Sequence, residues 1–228
     1  LSARDQERMA IINRQARHAT NLIQQILDFS RRAVMERRPL DLLTFIKEQA
    51  KLLERTLPEH IEIELDYGHD DYTINADPTR IQQMLMNLAF NARDAMPGGG
   101  ALRIGVERLH IATPKATPIP NMKPGAWIKL SVSDTGVGIP PAVLEHLYEP
   151  FFTTKPPGKG TGLGLAQVHG IVGAHEGHID VETQIAPNEH TEDNAPPTGT
   201  TFIIYLPALP ISSEESFEPA PSSLVKGQ

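Results

Sequence analysis

Four short segments hold the residue types that could do chemistry. The first is Asn87-Leu88-Ala89-Phe90-Asn91-Ala92-Arg93-Asp94-Ala95, where Asn87 and Asn91 stand one helical turn apart and so share a face. The second is Asp134-Thr135-Gly136-Val137-Gly138-Ile139-Pro140, a carboxylate followed by two glycines directly after a strand-like run. The third is Glu149-Pro150-Phe151-Phe152-Thr153-Thr154-Lys155. The fourth is Gly158-Lys159-Gly160-Thr161-Gly162-Leu163-Gly164-Leu165, which runs straight into a helical pattern. Backbone N–H groups at a helix N-terminus make an anion site, and Lys159 adds positive charge to this one. Each segment alone has a plainer reading: a tight turn after a strand, a loop with positive φ angles, or a solvated helix face. Two common phosphate loops are excluded by spacing. The chain has neither GxxxxGK[ST] nor a GxGxxG led in by a strand.

Taken in order, the four segments resemble the N, G1, F and G2 boxes of the ATP-binding module of histidine kinases. The wider family includes DNA gyrase B, Hsp90 and MutL. The resemblance covers about residues 77–206, and the forms NARDAMPGGG and EPFFTTK are similar to sensor kinases of the nitrogen-regulation type. It implies an α+β Bergerat fold, a two-layer sandwich with a mixed, mostly antiparallel sheet, preceded by one long helix. It also implies roles. Asp134 accepts from the adenine amino group, and Gly136 and Gly138 let the backbone pass close to the ring. Asn91 ligates Mg2+, a cation that takes oxygen ligands and keeps several waters, so that one amide carbonyl plus phosphates suffices. Asn87 shares that pocket, and the pair Asn87 and Asn91 are the candidate catalytic residues. Gly160, Thr161, Gly162 and Gly164 cradle the triphosphate of ATP with Lys159, while Thr200 sits near the adenine. Residues 150–161 form a lid, mobile without nucleotide. Arg93 points away from this face, which weakens a phosphate role for it.

The periodicity supplies the elements that carry these residues. Met9, Ile12, Ala16, Ala19, Ile23, Ile26 and Ser30 alternate in steps of three and four, which predicts a helix over 2–38 with a seam for a partner helix. Within it, Leu22 to Arg31 resembles the second helix of the dimerisation domain of histidine kinases, which implies a homodimer of the parent protein. Asp41 caps a helix over about 41–56, and Asp77-Pro78 starts another that runs to about Met96. Strands are predicted at 61–65, near 72–76, and at 101–111, 126–133, 177–183 and 199–207, with helices at 141–147 and 162–175. A flexible loop is expected at 186–197. The domains are then 1–38, a partial dimerisation segment; 39–208, the ATP-binding domain; and 209–228, a disordered tail.

Composition narrows the function classes. The 228 residues carry a net charge of −7, which argues against a nucleic-acid partner. There is no cysteine, so disulfides, thiolate metal sites and cysteine nucleophiles are excluded. No apolar run reaches the length of a membrane span, and the resemblance implies a cytoplasmic domain whose parent is either free or membrane-anchored. The sequence lacks an initiating Met and reads as a piece of a longer chain. None of the nine histidines, His18, His60 and His175 included, stands in the helical His-Glu context of a phosphoacceptor. The acceptor is therefore expected on a separate helix, with a response-regulator receiver domain as the next recipient. His169, His175 and His178 lack the carboxylate or Cys partners of a metal site and read as surface or helix-end residues. Two other functions compete. One is an ATPase or conformational switch of the gyrase and MutL kind, the other a non-catalytic nucleotide-binding dimerisation module. The first is disfavoured because those relatives hold a Glu base four residues before the Mg2+ ligand, where this chain has Asn87.

Overall fold

Two aspartates set where the main helices begin. Asp41 accepts the N–H groups of Leu43 and Thr44 and opens α1 (Leu42–Thr56), which follows the short strand β1 (Arg38–Asp41). Asp77 accepts from Thr79 and Arg80, with Pro78 in the first turn, and opens α2 (Pro78–Ala95). Both side chains satisfy amide groups that no helix carbonyl reaches. The computed structural model describes residues 35–156, 160–185 and 198–210. Its other elements are β2 (Ile61–Tyr67), β3 (Thr73–Ala76), β4 (Gly100–Ile111), β5 (Gly125–Asp134), α3 (Pro141–Leu144), α4 (Gly164–Ala174), β6 (His178–Gln184) and β7 (Gly199–Pro207).

The main sheet has five strands in the order β2-β4-β5-β7-β6. Only β2 and β4 run parallel; the other neighbours are antiparallel. A separate antiparallel pair joins β1 to β3, with Leu40 opposite Ile74. Strand alternation splits the apolar residues between two faces. Ile104, Leu130 and Ile204 share one core with Ile46 of α1, Leu85 of α2 and Val168 of α4. The alternate positions Trp127, Ile203 and Tyr205 join Ile111 and Met122 in a smaller cluster under the loop 112–124. The Trp127 indole donates to the Lys123 carbonyl at 2.9 Å, which fixes that cover. Each fully buried Leu or Ile stabilises the fold by roughly 1.5–3 kcal/mol, so the helix layer is held mainly by its apolar face. This is the expected α+β two-layer sandwich.

The ends of the body differ from expectation. The helix predicted over 2–38 does not reach Arg38. Met35 to Arg37 have no regular structure, and Arg38 pairs with Ala76 in an antiparallel ladder, which holds that backbone extended. The rest of that helix, with its seam, lies outside the described residues, as do 186–197 and 211–228. Leu209 belongs to the body. Its N–H donates to the Thr73 carbonyl at 2.8 Å, and its own carbonyl accepts from Arg108 at 3.0 Å. Among the described residues, no helix is long and apolar enough to cross a membrane.

Candidate active site

A cavity of about 580 Å³ opens between α2, the turn after β5, the start of α4 and the residues Phe152 to Lys155. Asp134 stands at one end, where β5 finishes opposite Thr200 of β7. Its Oδ1 accepts the Gly136 N–H at 2.8 Å. Burial pushes the carboxyl's pKa up, and the N–H groups of Gly136 and Thr200 pull against that shift. A half-buried acceptor among the apolar side chains of Ile139, Val143, Leu147 and Phe202 suits a flat ring with an amino group. Thr200 is only 4% exposed, and its hydroxyl lies 3.1 Å from that of Thr183.

Thr183 is a hub for this end of the site. Its hydroxyl accepts the Ile139 N–H at 2.8 Å and donates to the Gly199 carbonyl at 3.1 Å, tying the first glycine segment to β6 and β7. The glycines of that segment answer to the protein as well as to a ligand. A Cβ on Gly136 would lie 2.6 Å from the Ala95 carbonyl oxygen, and Gly136 is buried and does not line the cavity. Here glycine also lets the turn pack on the end of α2. Gly138 does line the cavity, but its φ of +76° and the nearby Gln184 carbonyl also require glycine.

At the other end, α2 presents Asn87, Asn91 and Asp94. The Asn87 amide nitrogen donates to the Gly164 carbonyl at 3.3 Å and to Gln167 Oε1 at 3.1 Å, bracing α2 against the first turn of α4. Asn91 Oδ1 accepts from Lys155 Nζ at 3.2 Å, and Asp94 Oδ2 accepts from the same ammonium at 2.6 Å. The other Asp94 oxygen takes Arg93 Nε at 2.9 Å and a second guanidinium N–H at 2.7 Å. Burial alone would raise the Asp94 pKa; the bonds from Lys155 and Arg93 outweigh it and hold the carboxyl below its usual range. Arg93 is thus spent on Asp94 and does not line the cavity, as its position on the helix implied.

The second glycine segment faces this end. Gly160, Thr161, Gly162 and Gly164 all line the cavity, while Lys159 lies outside the described residues. Leu163 occupies the N-cap of α4 and gives no side-chain cap, so the first amides of α4 have no side chain competing for them. The segment expected to form a lid is tied at one end to the second glycine run, where the Phe151 N–H donates to the Gly162 carbonyl at 3.0 Å. Asp94, Lys155, Thr183 and Gln167 are the residues that spacing did not single out. Lys155 had one sequence signal: it is the basic residue of the third box. The contacts of Asp94 with Lys155, of Thr183 with Ile139 and of Gln167 with Asn87 span 61, 44 and 80 positions, which no local pattern encodes. Of the three histidines set aside as metal ligands, His175 ends α4 as expected but is buried. Its Nε2 accepts the Asp77 N–H at 3.1 Å, and its Nδ1 lies 2.8 Å from the Ile171 carbonyl oxygen.

Residues 76–210, more than half of the chain, match the model of the family described as histidine kinase-, DNA gyrase B-, and HSP90-like ATPase. The chain is 38% identical over 198 residues to the sensor kinase CckA of Brucella abortus (strain 2308). That match takes in 87% of this chain and 20% of the kinase, so the chain spans about a fifth of that relative's length. Among solved structures, full-length ShkA in complex with AMPPNP superposes with a TM-score of 0.69 at 23% identity, over 91% of this chain and 39% of that one, a likeness of fold. Histidine kinase ThkA, solved in complex with the response regulator TrrA, superposes with a TM-score of 0.62 at 26% identity, over 87% of this chain and 50% of that one.

Proposed function

This chain belongs to the histidine kinase-, DNA gyrase B- and HSP90-like ATPase family, and on that premise we propose that it is the ATP-binding catalytic core of a two-component sensor histidine kinase. Adenine docks on Asp134 with Thr200 beside it. The triphosphate runs toward Asn91 and the amides of Gly160 to Gly164, with Lys159 adding charge. Mg2+ fits at Asn91, where the Lys155 ammonium already stands as a cation 3.2 Å from the amide oxygen. The ion supplies charge neutralisation along the phosphates.

The acceptor is a histidine on a separate helix. A neutral imidazole attacks the γ-phosphorus with its lone-pair nitrogen, the bond to the bridging oxygen breaks, and ADP leaves with the electron pair. The remaining ring proton goes to solvent. This chain's residues hold and orient the phosphates and need not move a proton. The phosphoryl group then passes to an aspartate of a response-regulator receiver domain, a step supported by the ThkA complex with TrrA. The parent works in the cytoplasm as a homodimer through the seam that runs from Met9 to Ser30 in the sequence.

One observation favours transfer to histidine over transfer to water. The position where the gyrase and MutL kind hold a Glu base carries Asn87, whose amide is committed to Gly164 and Gln167. Among the described lining residues the carboxylates are Asp134, at the ring end, and Asp94, held by Arg93 and Lys155. Neither is placed to take a proton from an attacking water. Calorimetry with Mg·AMP-PNP tests the site. Asp134→Asn and Asn91→Ala should each weaken binding at least ~10-fold, the equivalent of one lost charge-assisted contact. Wild-type affinity in both variants would overturn the assignment.

A further inference from the structure

Three side-chain amides meet where α2 packs on α4, and two groups of fixed polarity decide which way each amide faces. Arg80, Gln83 and Asn87 follow one another along a face of α2 in steps of three and four. The Arg80 guanidinium can only donate, so the oxygen of the Gln83 amide faces it, at 3.1 Å. The Gly164 carbonyl can only accept, so the nitrogen of the Asn87 amide faces it, at 3.3 Å. Both assignments turn a nitrogen toward Gln167 of α4, that of Gln83 at 3.5 Å and that of Asn87 at 3.1 Å. Gln167 must therefore present its oxygen to both.

This orientation is costly for Gln167 itself. The side chain is 8% exposed, and its amide nitrogen is buried with no hydrogen-bond partner among the described residues. Turning the amide over would set that nitrogen against two other donors. Gln167 does not line the cavity, whereas Asn87 does. With its nitrogen held by two acceptors on α4, the atom that Asn87 has left for a ligand is its oxygen, one helical turn from the oxygen of Asn91. Of the two bonds that hold the nitrogen, the one to Gln167 is the shorter. An Asn87 amide turned the other way would point N–H groups at a cation. We propose that Gln167 is a positioning residue for phosphoryl transfer, which locks the Asn87 amide so that its oxygen stays available to the divalent cation or to the water that cation carries.

The inference rests on the ATP reading of the site, and the test separates the two. Calorimetry compares AMP-PNP binding in Mg2+ and in EDTA for wild type, Gln167→Met, Gln167→Glu, Asn87→Ala, Asn87→Ala with Gln167→Met, and Asp134→Asn. Methionine keeps the length of the side chain and removes the unpaired nitrogen together with the oxygen, so the fold should hold. Gln167→Met should bind AMP-PNP roughly 3- to 10-fold more weakly in Mg2+, the effect of one hydrogen bond, and within about twofold of wild type in EDTA. Gln167→Glu, which keeps an acceptor, should bind in Mg2+ within about twofold of wild type. In the Asn87→Ala background, Gln167→Met should cause no further loss, because its effect passes through Asn87. Equal losses in Mg2+ and EDTA would overturn the inference, since Gln167 would then only brace two helices. Unchanged binding in Gln167→Met, an equal loss in Gln167→Glu, or a full further loss in the double variant would overturn it too. Binding to Asp134→Asn as tight as to wild type would overturn the ATP reading itself, and this inference with it.

Discussion

Gly162 and Gly170 lie within eight positions of each other, yet alanine should have opposite effects at the two. Gly162 has a φ of +67°, and an added Cβ would lie 2.6 Å from the Phe151 Cα, a backbone atom that cannot swing aside. A non-glycine residue in that region costs about 1–2 kcal/mol. The clash forces Phe151 away, and with it goes the Phe151 N–H bond to the Gly162 carbonyl, worth about 0.5–1.5 kcal/mol. The total is about 1.5–3.5 kcal/mol, concentrated at the base of the lid. The variant relieves it by opening that base, so the core keeps its packing and the thermal midpoint moves by less than ~3 °C. Nucleotide binding must close the base again, and Mg·AMP-PNP affinity should fall about 10- to 300-fold. Gly170 is the control. It lies inside α4, and no heavy atom comes within 4 Å of a Cβ built there. Gly170→Ala should stabilise the protein by ~0.5–1 kcal/mol and leave affinity unchanged. Calorimetry and thermal melts on both variants decide the matter. A folded Gly162→Ala that binds as tightly as wild type would refute the argument, as would a matching loss in Gly170→Ala.

Thr183→Val keeps the shape but leaves the Ile139 N–H without its acceptor, so urea unfolding should show a loss of ~1–3 kcal/mol. His175 links folding to pH. Burial holds its pKa below the ordinary 6.5, against the pull of the Ile171 carbonyl, so the unfolded chain takes up the proton first as pH falls. Its contribution to stability is complete above pH 6.5 and declines as pH drops from there toward the folded-state pKa. His175→Asn should lower the urea midpoint at pH 8 and flatten its fall between pH 7.5 and 5.5; an equally steep fall in the variant would exclude His175 as the source. Incubation with γ-labelled ATP should leave this chain unlabelled and label a separate polypeptide that carries an acceptor helix, whereas acid-labile label on this chain alone would expose a misjudged histidine.

Chain-local signals located most of the architecture. Asp41 and Asp77 mark helix starts because a cap acts on amides two and three residues ahead, and strand alternation in Ile61 to Leu65 is visible because side chains point to opposite faces every residue. The four boxes were legible for the same reason: each is a contiguous run. The exception at the N-terminal edge, Arg38 in a strand instead of a helix, follows from pairing with Ala76, a partner 38 positions away. Lys159 stands out in the sequence as the lysine among glycines, while Lys155 holds the contacts to α2, with partners 64 and 61 positions away.

What the order of residues establishes on its own is therefore the kind of site: a carboxylate after a strand, amides opening a helix, and two asparagines on one helical face. Folding decides which groups meet there. Gly136 is glycine because Ala95 crowds it, and Thr183 matters because β6 delivers it to Ile139. Asn87 braces α4 because Gly164 and Gln167 arrive 77 and 80 positions later in the chain. Periodicity and capping are short-range properties of a backbone, while packing contacts depend on the whole sheet and its helices being in place, and no spacing rule within one segment encodes them.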